Sequence, residues 1–265
     1  MPDNEFFRGT PRKTFEIQGR KVEFPVFYYD FSAVTASFIV KASKLREMLP
    51  HPKFVPAEIW PGSGVLTISA YEYRDTDIGP YNEVAVSVPM NFEDANFLPR
   101  KSAISMLRRH KFALYVHQLP VSTEEARLGG VYFYNYPKFL ADITIEDKEE
   151  IIETTLKEKD ELILRMSAKK LATKKFGAFE YHTFSIKDNQ ILHTLIEGRA
   201  DRIGYSMMGK FAKLELGDHK VAKELKGLDL GENSHSGQYA EGAMSKLHHP
   251  DKSWNVETLE QTAVA

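Results

Sequence analysis

Residues 81–90 read Tyr-Asn-Glu-Val-Ala-Val-Ser-Val-Pro-Met, and this stretch is the clearest indication of the fold. Large and small side chains alternate over residues 84–90, as they do in a half-buried strand. Residues 22–29 and 64–73 are rich in the β-branched and aromatic types that favour strands. The sequence therefore predicts a chain built mainly of β-strands.

Further strands are predicted on either side of two turns. Residues 143–168 have the composition of strands around a turn at 157–160, and residues 180–196 that of a hairpin turning at 187–190. So many strands favour a large antiparallel sheet that curls or closes into a cone or barrel, because closure removes exposed edges. The predicted fold class is mainly β, or β-rich α+β, with a few short peripheral helices.

Those helices are predicted from capping residues and C-terminal stops. The three segments are 44–49, capped by Ser43 and ended by Pro50; one that opens at the capping box Ser122–Glu125 before Gly129-Gly130; and 219–226, capped by Asp218 and ended by Gly227. Each is too short to form a layer of its own, so we expect all three to lie at the edge of the sheet.

The composition excludes several classes of protein. Of the 265 residues, 42% are hydrophobic and 12% aromatic, which is inconsistent with a disordered chain. The 35 Lys and Arg nearly balance the 37 Asp and Glu, so no global basic field favours nucleic acid. The absence of cysteine excludes disulfides and thiolate catalysis.

The chain shows no composition break, repeat or linker that would divide it. We therefore expect one domain over residues 1–265, with a core at about 20–250 and a loosely held tail from about residue 251. No apolar run reaches the roughly 20 residues that span a bilayer, and the polar start lacks the pattern of a secretory signal. The expectation is a cytoplasmic protein without a membrane partner.

Metal, phosphate and serine-nucleophile motifs are missing. The nine histidines include no His-Glu-x-x-His, and the adjacent pair His248-His249 would face opposite sides of a strand. There is no glycine-rich phosphate loop and no Gly-x-Ser-x-Gly elbow. The missing ligand spacing disfavours a protein-bound catalytic metal.

One lysine has unusual neighbours. Lys138 lies in Val-Tyr-Phe-Tyr-Asn-Tyr-Pro-Lys-Phe-Leu (131–140), which sets one amine among five aromatic rings. Burial there would disfavour the charged form and leave a neutral, nucleophilic amine. The alternative is that Lys138 lies at a strand edge, with its stem over the rings and its amine in water.

Glu83 is the second candidate. It is a carboxylate at the mouth of an otherwise apolar strand, directly after the turn at Gly79-Pro80. It is either an acid or base of a buried site or a solvated residue at the end of a strand.

Taken together and in this order, these segments resemble the acetoacetate decarboxylase superfamily. Residues 81–92 look like the strand of that family that bears a glutamate, and Tyr136-Pro137-Lys138 looks like its Schiff-base lysine motif. Residues 214–219, with Lys246-Leu247 further on, are similar to its Asp-His helix and final strand. The resemblance extends over about residues 20–250.

The resemblance implies a cone or barrel with an apolar cavity, assembly into homo-oligomers, and a small keto acid as substrate. Lys138 takes the place of the imine-forming nucleophile, with Glu83 as its catalytic partner. Arg20, Tyr136 and Phe139 are the candidate substrate-binding residues. Neither a metal nor an organic cofactor is implied, since the lysine supplies the covalent chemistry.

The sequence also departs from the family pattern. Phe139 stands where the well-known decarboxylases have a second lysine, so we expect desolvation rather than a cationic neighbour to activate Lys138. The family's second carboxylate has no clean counterpart, and Glu72 would match only with a shift. The segment at about 92–111 is longer than the family pattern leads us to expect.

Three functions remain open at this point. The first is a lyase that decarboxylates a β-keto acid through an imine on Lys138. The second is a Schiff-base aldolase-dehydratase or hydratase acting on an α-keto acid. The third is a non-catalytic barrel that binds an apolar ligand, in which Lys138 is only part of the wall.

Overall fold

A computed structural model describes residues 5–95, 102–207 and 209–257. In chain order the strands are β1 (Lys13–Ile17), β2 (Arg20–Phe24), β3 (Val26–Lys41), β4 (Phe54–Pro56), β5 (Glu58–Trp60), β6 (Ser63–Thr76), β7 (Tyr81–Phe92), β8 (Lys111–Gln118), β9 (Asp142–Asp147), β10 (Ile151–Glu158), β11 (Glu161–Lys169), β12 (Lys174–Lys175), β13 (Ala178–Lys187), β14 (Gln190–Ser206), β15 (Ala212–Leu216), β16 (Ser236–Leu247) and β17 (Lys252–Asn255). The helices are α1 (Ala42–Met48), α2 (Ala103–Arg109), α3 (Glu124–Tyr134) and α4 (Lys220–Lys226).

Seven strands form a closed barrel. Their order is β7-β8-β13-β14-β16-β3-β6, and β6 pairs with β7 to complete the ring. The predicted closed sheet is therefore confirmed, but it is mixed rather than wholly antiparallel, because β8 and β13 run parallel. The chain between them, residues 119–177, is long enough to return to the end from which β8 started, as a parallel connection requires.

The alternation in β7 separates the inside of the barrel from the outside. Val84, Val86 and Val88 belong to a core that includes residues of the second sheet, whose strand order is β15-β11-β10-β9. Glu83 and Ser87 line a cavity inside the barrel. Large side chains outside and small ones inside thus bury both faces of the strand while leaving space within the ring.

Both predicted turns are confirmed. β10 pairs with β11 across residues 157–160, and β13 pairs with β14 across residues 187–190. At each turn two residues adopt positive φ, Lys159 and Asp160 in the first and Asp188 and Asn189 in the second. Asp and Asn tolerate this left-handed conformation better than most residues, which is why such segments turn.

The predicted helices form, but their caps differ from those expected. The N-cap of α1 is Lys41 rather than Ser43. The N-cap of α4 is His219 rather than Asp218, and its ring accepts a hydrogen bond from the Val221 amide. Asp218 bonds Lys226 instead, so its carboxylate is used by a side chain rather than by the helix terminus.

The second predicted helix is longer than its glycines suggested. α3 continues through Gly129 and Gly130 to Tyr134. The predicted capping box is also wrong, because the Ser122 hydroxyl accepts a hydrogen bond from the Asn82 amide of β7 instead of capping α3. Buried residues along α3 show that tertiary packing holds the helix across both glycines.

The long segment at 92–111 contains α2, a helix that the sequence analysis did not predict. The Ser102 hydroxyl caps it by accepting a hydrogen bond from the Ser105 amide. Residues 96–101 of this segment lie outside the described residues.

The prediction of a loose tail from residue 251 is wrong for the part that the structure describes. β17 pairs with the start of β14, and the Trp254 ring lies 5.0 Å from that of Phe92 between ring centroids. Residues 258–265 of the predicted tail lie outside the described residues.

The hairpin β1–β2 covers one end of the barrel. The predicted strand at 22–29 is divided at Pro25, after which β3 enters the barrel wall. The rings of Phe15 and Phe24 contact Phe133 of α3, with centroids 6.1 and 4.8 Å away. Hairpin and helix therefore meet above the barrel mouth. Among the helices of the described residues, none is long and apolar enough to cross a membrane.

Candidate active site

Lys138 and Glu83 form a buried ion pair at the barrel mouth. The Lys138 Nζ lies 2.8 Å from Glu83 Oε2, and the two side chains are only 7% and 9% exposed. The amine is therefore not in bulk water, and Lys138 does not belong to a named strand. Of the two environments considered from the sequence, the buried one matches this geometry.

The backbone of one short segment holds both residues. Val121 forms isolated bridges to Glu83 on one side and to Leu140 on the other. The Val121 amide donates to the Phe139 carbonyl at 3.0 Å, which ties the chain beside Lys138 to the segment that borders β7. Two residues 55 positions apart in sequence are thus fixed to a common neighbour.

Helix α3 ends so that the chain turns back toward the barrel. Asn135, its C-cap, adopts the left-handed conformation with φ of 50°, a conformation that asparagine tolerates. Two residues later Pro137 limits its own φ and disfavours a helical conformation at Tyr136. This sharp exit directs the Lys138 side chain back across α3 and into the barrel.

Gly130 provides the space for that side chain. A Cβ at position 130 would lie 2.5 Å from the Lys138 Cε and 3.2 Å from its Nζ. Sequence reasoning treated this glycine only as the end of a helix. No pattern within the sequence signals its role, because the contact joins a helix to the loop that follows it.

Tyrosines surround the carboxylate. The Tyr73 hydroxyl donates to Glu83 Oε1 at 3.4 Å, and the Tyr81 hydroxyl donates to that of Tyr28 at 3.2 Å. Burial raises the pKa of the Tyr73 and Tyr81 hydroxyls well above their usual value, and the charge of Glu83 adds to this effect. These phenols therefore remain neutral hydrogen-bond donors near neutral pH.

Two cavities meet at Lys138. An outer cavity of about 300 Å³ lies beneath the β1–β2 hairpin, and an inner cavity of about 90 Å³ lies within the barrel. Four residues line both cavities, namely Tyr28, Tyr136, Lys138 and Leu247. The amine therefore lies where a carbonyl group could extend one substituent into each space.

The other predicted site residues have different positions. Tyr136 lines both cavities, and its hydroxyl lies 2.5 Å from the Thr183 hydroxyl. Arg20 lies at the rim of the outer cavity, where its guanidinium is 2.9 Å from Glu125 and its side chain is 61% exposed.

Phe139 is not brought into the site. It packs against the core on the outer side of the barrel, and it lines neither cavity. Neighbouring residues of an extended chain face opposite sides, so an inward Lys138 places Phe139 outward. The position of Phe139 therefore does not support the expectation that it binds substrate.

Glu72 does not act as a second carboxylate in the barrel. Its side chain is 42% exposed, and it binds Arg74 at 2.7 Å. It pairs opposite Asn82 in the register of β6 and β7, whereas Glu83 pairs opposite Tyr71. The register therefore places Glu72 on the opposite face of the sheet from Glu83, so Glu72 is not the counterpart of the family's second carboxylate.

The described residues contain no group of three or more histidine, aspartate or glutamate side chains arranged to hold a metal ion.

Comparisons with known proteins identify the family to which this closed barrel belongs. Residues 12–253 match the model of the family described as acetoacetate decarboxylase. The chain belongs to the acetoacetate decarboxylase family. A comparison with curated protein sequences finds no significant match.

Solved structures share the fold at low sequence identity. One, described as acetoacetate decarboxylase, is 15% identical with a TM-score of 0.60, covering 87% of this chain and 89% of its own. Acetoacetate decarboxylase from Legionella pneumophila is 13% identical with a TM-score of 0.59, and 87% of each chain is covered. The enduracididine biosynthesis enzyme MppR, complexed with the condensation product of pyruvate and imidazole 4-carboxaldehyde, is 11% identical with a TM-score of 0.59, covering 89% and 90%.

Proposed function

We propose that this protein decarboxylates a β-keto acid through an imine formed on Lys138. The observation that carries the proposal is the buried pair of Lys138 and Glu83, joined at 2.8 Å where the two cavities meet. Membership of the acetoacetate decarboxylase family supports this chemistry. A surface lysine would instead keep its proton in water and show no preference for a carbonyl.

The first step needs a neutral amine, and Glu83 is placed to provide it. A proton that passes from the Lys138 ammonium to the Glu83 carboxylate leaves an amine and a carboxylic acid without changing the net charge of the buried pair. The proton moves along an existing hydrogen bond. This route does not depend on a second lysine, whose family position is occupied here by the outward-facing Phe139.

The amine then attacks the keto carbon of the substrate. The protonated Glu83 returns its proton to the developing alkoxide, and loss of water gives a protonated imine on the Lys138 nitrogen. When the bond to the carboxylate breaks, CO2 leaves and its electron pair moves through the carbon skeleton to that nitrogen. The product of this step is a neutral enamine.

The surroundings of the amine favour the loss of CO2. Glu83, once ionised again, repels a substrate carboxylate but not neutral CO2. The enamine carbon next takes a proton, and water hydrolyses the resulting imine to release a ketone and restore Lys138. Tyr73, whose hydroxyl bonds Glu83 Oε1, helps to hold the carboxylate in place for these transfers.

The test is turnover with two kinds of substrate. We expect CO2 release from acetoacetate and other β-keto acids above the spontaneous rate, and its loss in Lys138→Gln, which keeps a polar side chain but cannot form an imine. Lys148→Ala is the control, because Lys148 is a surface lysine that binds Glu153. Turnover of pyruvate with aldehydes, and none of any β-keto acid, would replace decarboxylation with the aldolase function.

If Lys138→Gln retains the activity of the original protein, the imine mechanism is contradicted. Circular dichroism of each variant distinguishes a lost reaction from a lost fold.

A further inference from the structure

The two cavities that meet at Lys138 differ about threefold in volume, at about 300 and 90 Å³. We propose that the substrate of this site is a β-keto acid with an extended apolar group on its keto carbon, and that this group occupies the outer cavity. The inference rests on the proposed function and adds the substrate class to it.

The walls of the outer cavity are apolar. Most of them come from three elements that meet above the barrel mouth, the β1–β2 hairpin, the start of β3 and helix α3. The apolar side chains among them include Ile17, Val22, Val26, Ala126 and Phe133. A methyl group, the substituent of acetoacetate, would leave most of this space unfilled.

Apart from the exposed Lys21, the charged groups that line the outer cavity have partners. Arg20 binds Glu125 at the rim. Asp77 accepts hydrogen bonds from the Arg12 guanidinium at 2.5 Å and from the Phe27 amide at 2.7 Å. An apolar substituent would therefore contact the walls without separating these pairs, whereas a charged group close to Arg20 or Asp77 would have to compete with them.

The inner cavity suits the other arm of the substrate. It is the smaller space, and Ser87 and Thr183 contribute hydroxyl groups to it, whereas Glu83 favours the loss of a carboxylate held there. In every β-keto acid that is unsubstituted between its two carbonyl groups, this arm is the same short group, a methylene and a carboxylate. Because the keto carbon is attached to the Lys138 nitrogen at the junction, the short arm in the inner cavity directs the variable group outward.

A measurable consequence is a dependence on chain length. Each buried methylene contributes about 0.8 kcal/mol, which corresponds to about a fourfold increase in kcat/KM. We expect 3-oxohexanoate, which has two more methylenes than acetoacetate, to be about fifteenfold better. 3-Oxooctanoate should be better still, until the outer cavity is filled.

The experiment measures CO2 release from these three acids, corrected for spontaneous loss, with two variants of the β1–β2 hairpin. Val22→Phe fills part of the outer cavity, and Thr14→Phe adds the same ring to an exposed position that does not line it. The ratio of kcat/KM for 3-oxooctanoate to that for acetoacetate should fall at least about fivefold in Val22→Phe. It should not change in Thr14→Phe.

The outcomes separate the two proposals. If acetoacetate releases CO2 but kcat/KM does not rise with chain length, the substrate class is wrong and the decarboxylase stands. If kcat/KM rises with chain length as steeply in Val22→Phe as in the original protein, the apolar group does not bind in the outer cavity. If no member of the series reacts, the proposed function fails. If Val22→Phe does not fold, the dependence of kcat/KM on chain length in the original protein still tests the substrate class.

Discussion

Lys138 crosses helix α3 over Gly130, where a Cβ would lie 2.5 Å from the lysine Cε. The adjacent Gly129 has no heavy atom within 4 Å of the position that its Cβ would occupy. Two neighbouring glycines in one helix therefore face different constraints. Only Gly130 is required by the path of the candidate nucleophile.

Gly130→Ala should displace the Lys138 amine and lower kcat by about a hundredfold, as misplacement of a reacting group by an ångström does. Gly129→Ala is the matched control, and it should retain turnover of acetoacetate, whose methyl group leaves the outer cavity largely unfilled. It should also raise the free energy of unfolding by about 0.5–1 kcal/mol, because alanine favours a helix. Steady-state kinetics and urea unfolding of both variants provide the measurements. Equal turnover in the two variants would show that Lys138 does not need the space at position 130.

Glu83→Gln should lower kcat by about 10²- to 10⁴-fold, since an amide keeps the size of the side chain but cannot exchange the proton with Lys138. Glu72→Gln is the control, because it changes a glutamate of the adjacent strand that binds Arg74 outside the barrel. Steady-state turnover of both variants is compared after circular dichroism has verified their folding. A fully active Glu83→Gln variant would leave Glu83 with a structural role alone.

The order of the motifs was enough to select Lys138 and Glu83 as candidate site residues, because each lies in a short segment of distinctive composition. The distance between the two side chains could not be predicted from the sequence. It depends on Val121, whose backbone bridges the Glu83 strand and the chain next to Lys138. Long-range pairing of this kind leaves no periodic pattern in either segment.

The position of Phe139 outside the site has a simple physical origin. The prediction places an aromatic residue next to the candidate nucleophile in the surroundings of its amine, although adjacent residues of an extended chain point in opposite directions. The same rule places Glu83 and Ser87 inside the barrel and Val84 outside it. For β7 the alternation of the sequence predicts which side chains share a face of the strand. The loop at Lys138 has no such alternation.

Two buried histidines on the barrel wall predict a pH dependence of stability. The His182 Nδ1 lies 3.0 Å from the His193 Nε2, and the His193 Nδ1 lies 2.6 Å from Asp251. Burial lowers the pKa of both rings below the usual value near 6.5. The unfolded chain therefore binds protons more readily than the folded one as the pH falls through 6.5 and below.

The free energy of unfolding should accordingly decrease on acidification below this value, by at most about 1.4 kcal/mol per pH unit for each histidine. Replacing His182 with glutamine should make the decrease shallower, whereas the same change at the exposed His235 should not. Urea unfolding from about pH 5 to about pH 8 measures the slope. An unchanged slope in His182→Gln would exclude this ring as its source.

The strand β17 should contribute to the stability of the fold, although the sequence predicted a loosely held tail in this region. Trp254→Ala removes a ring that contacts Phe92 and Phe184, with centroids 5.0 and 6.2 Å away, and should cost about 1.5–3 kcal/mol. Ser253→Ala, at the adjacent exposed position, is the control. Thermal unfolding gives the comparison, and equal midpoints would indicate that the pairing of β17 with β14 contributes little.

The most direct test of the account is covalent capture of the imine. Borohydride reduction in the presence of acetoacetate, followed by mass spectrometry of the digested protein, should locate the added mass on the peptide that contains Lys138. The adduct should disappear in Lys138→Gln and persist in Lys148→Ala. An adduct that remains in Lys138→Gln, or none with any keto acid that the protein turns over, would contradict the central role of Lys138.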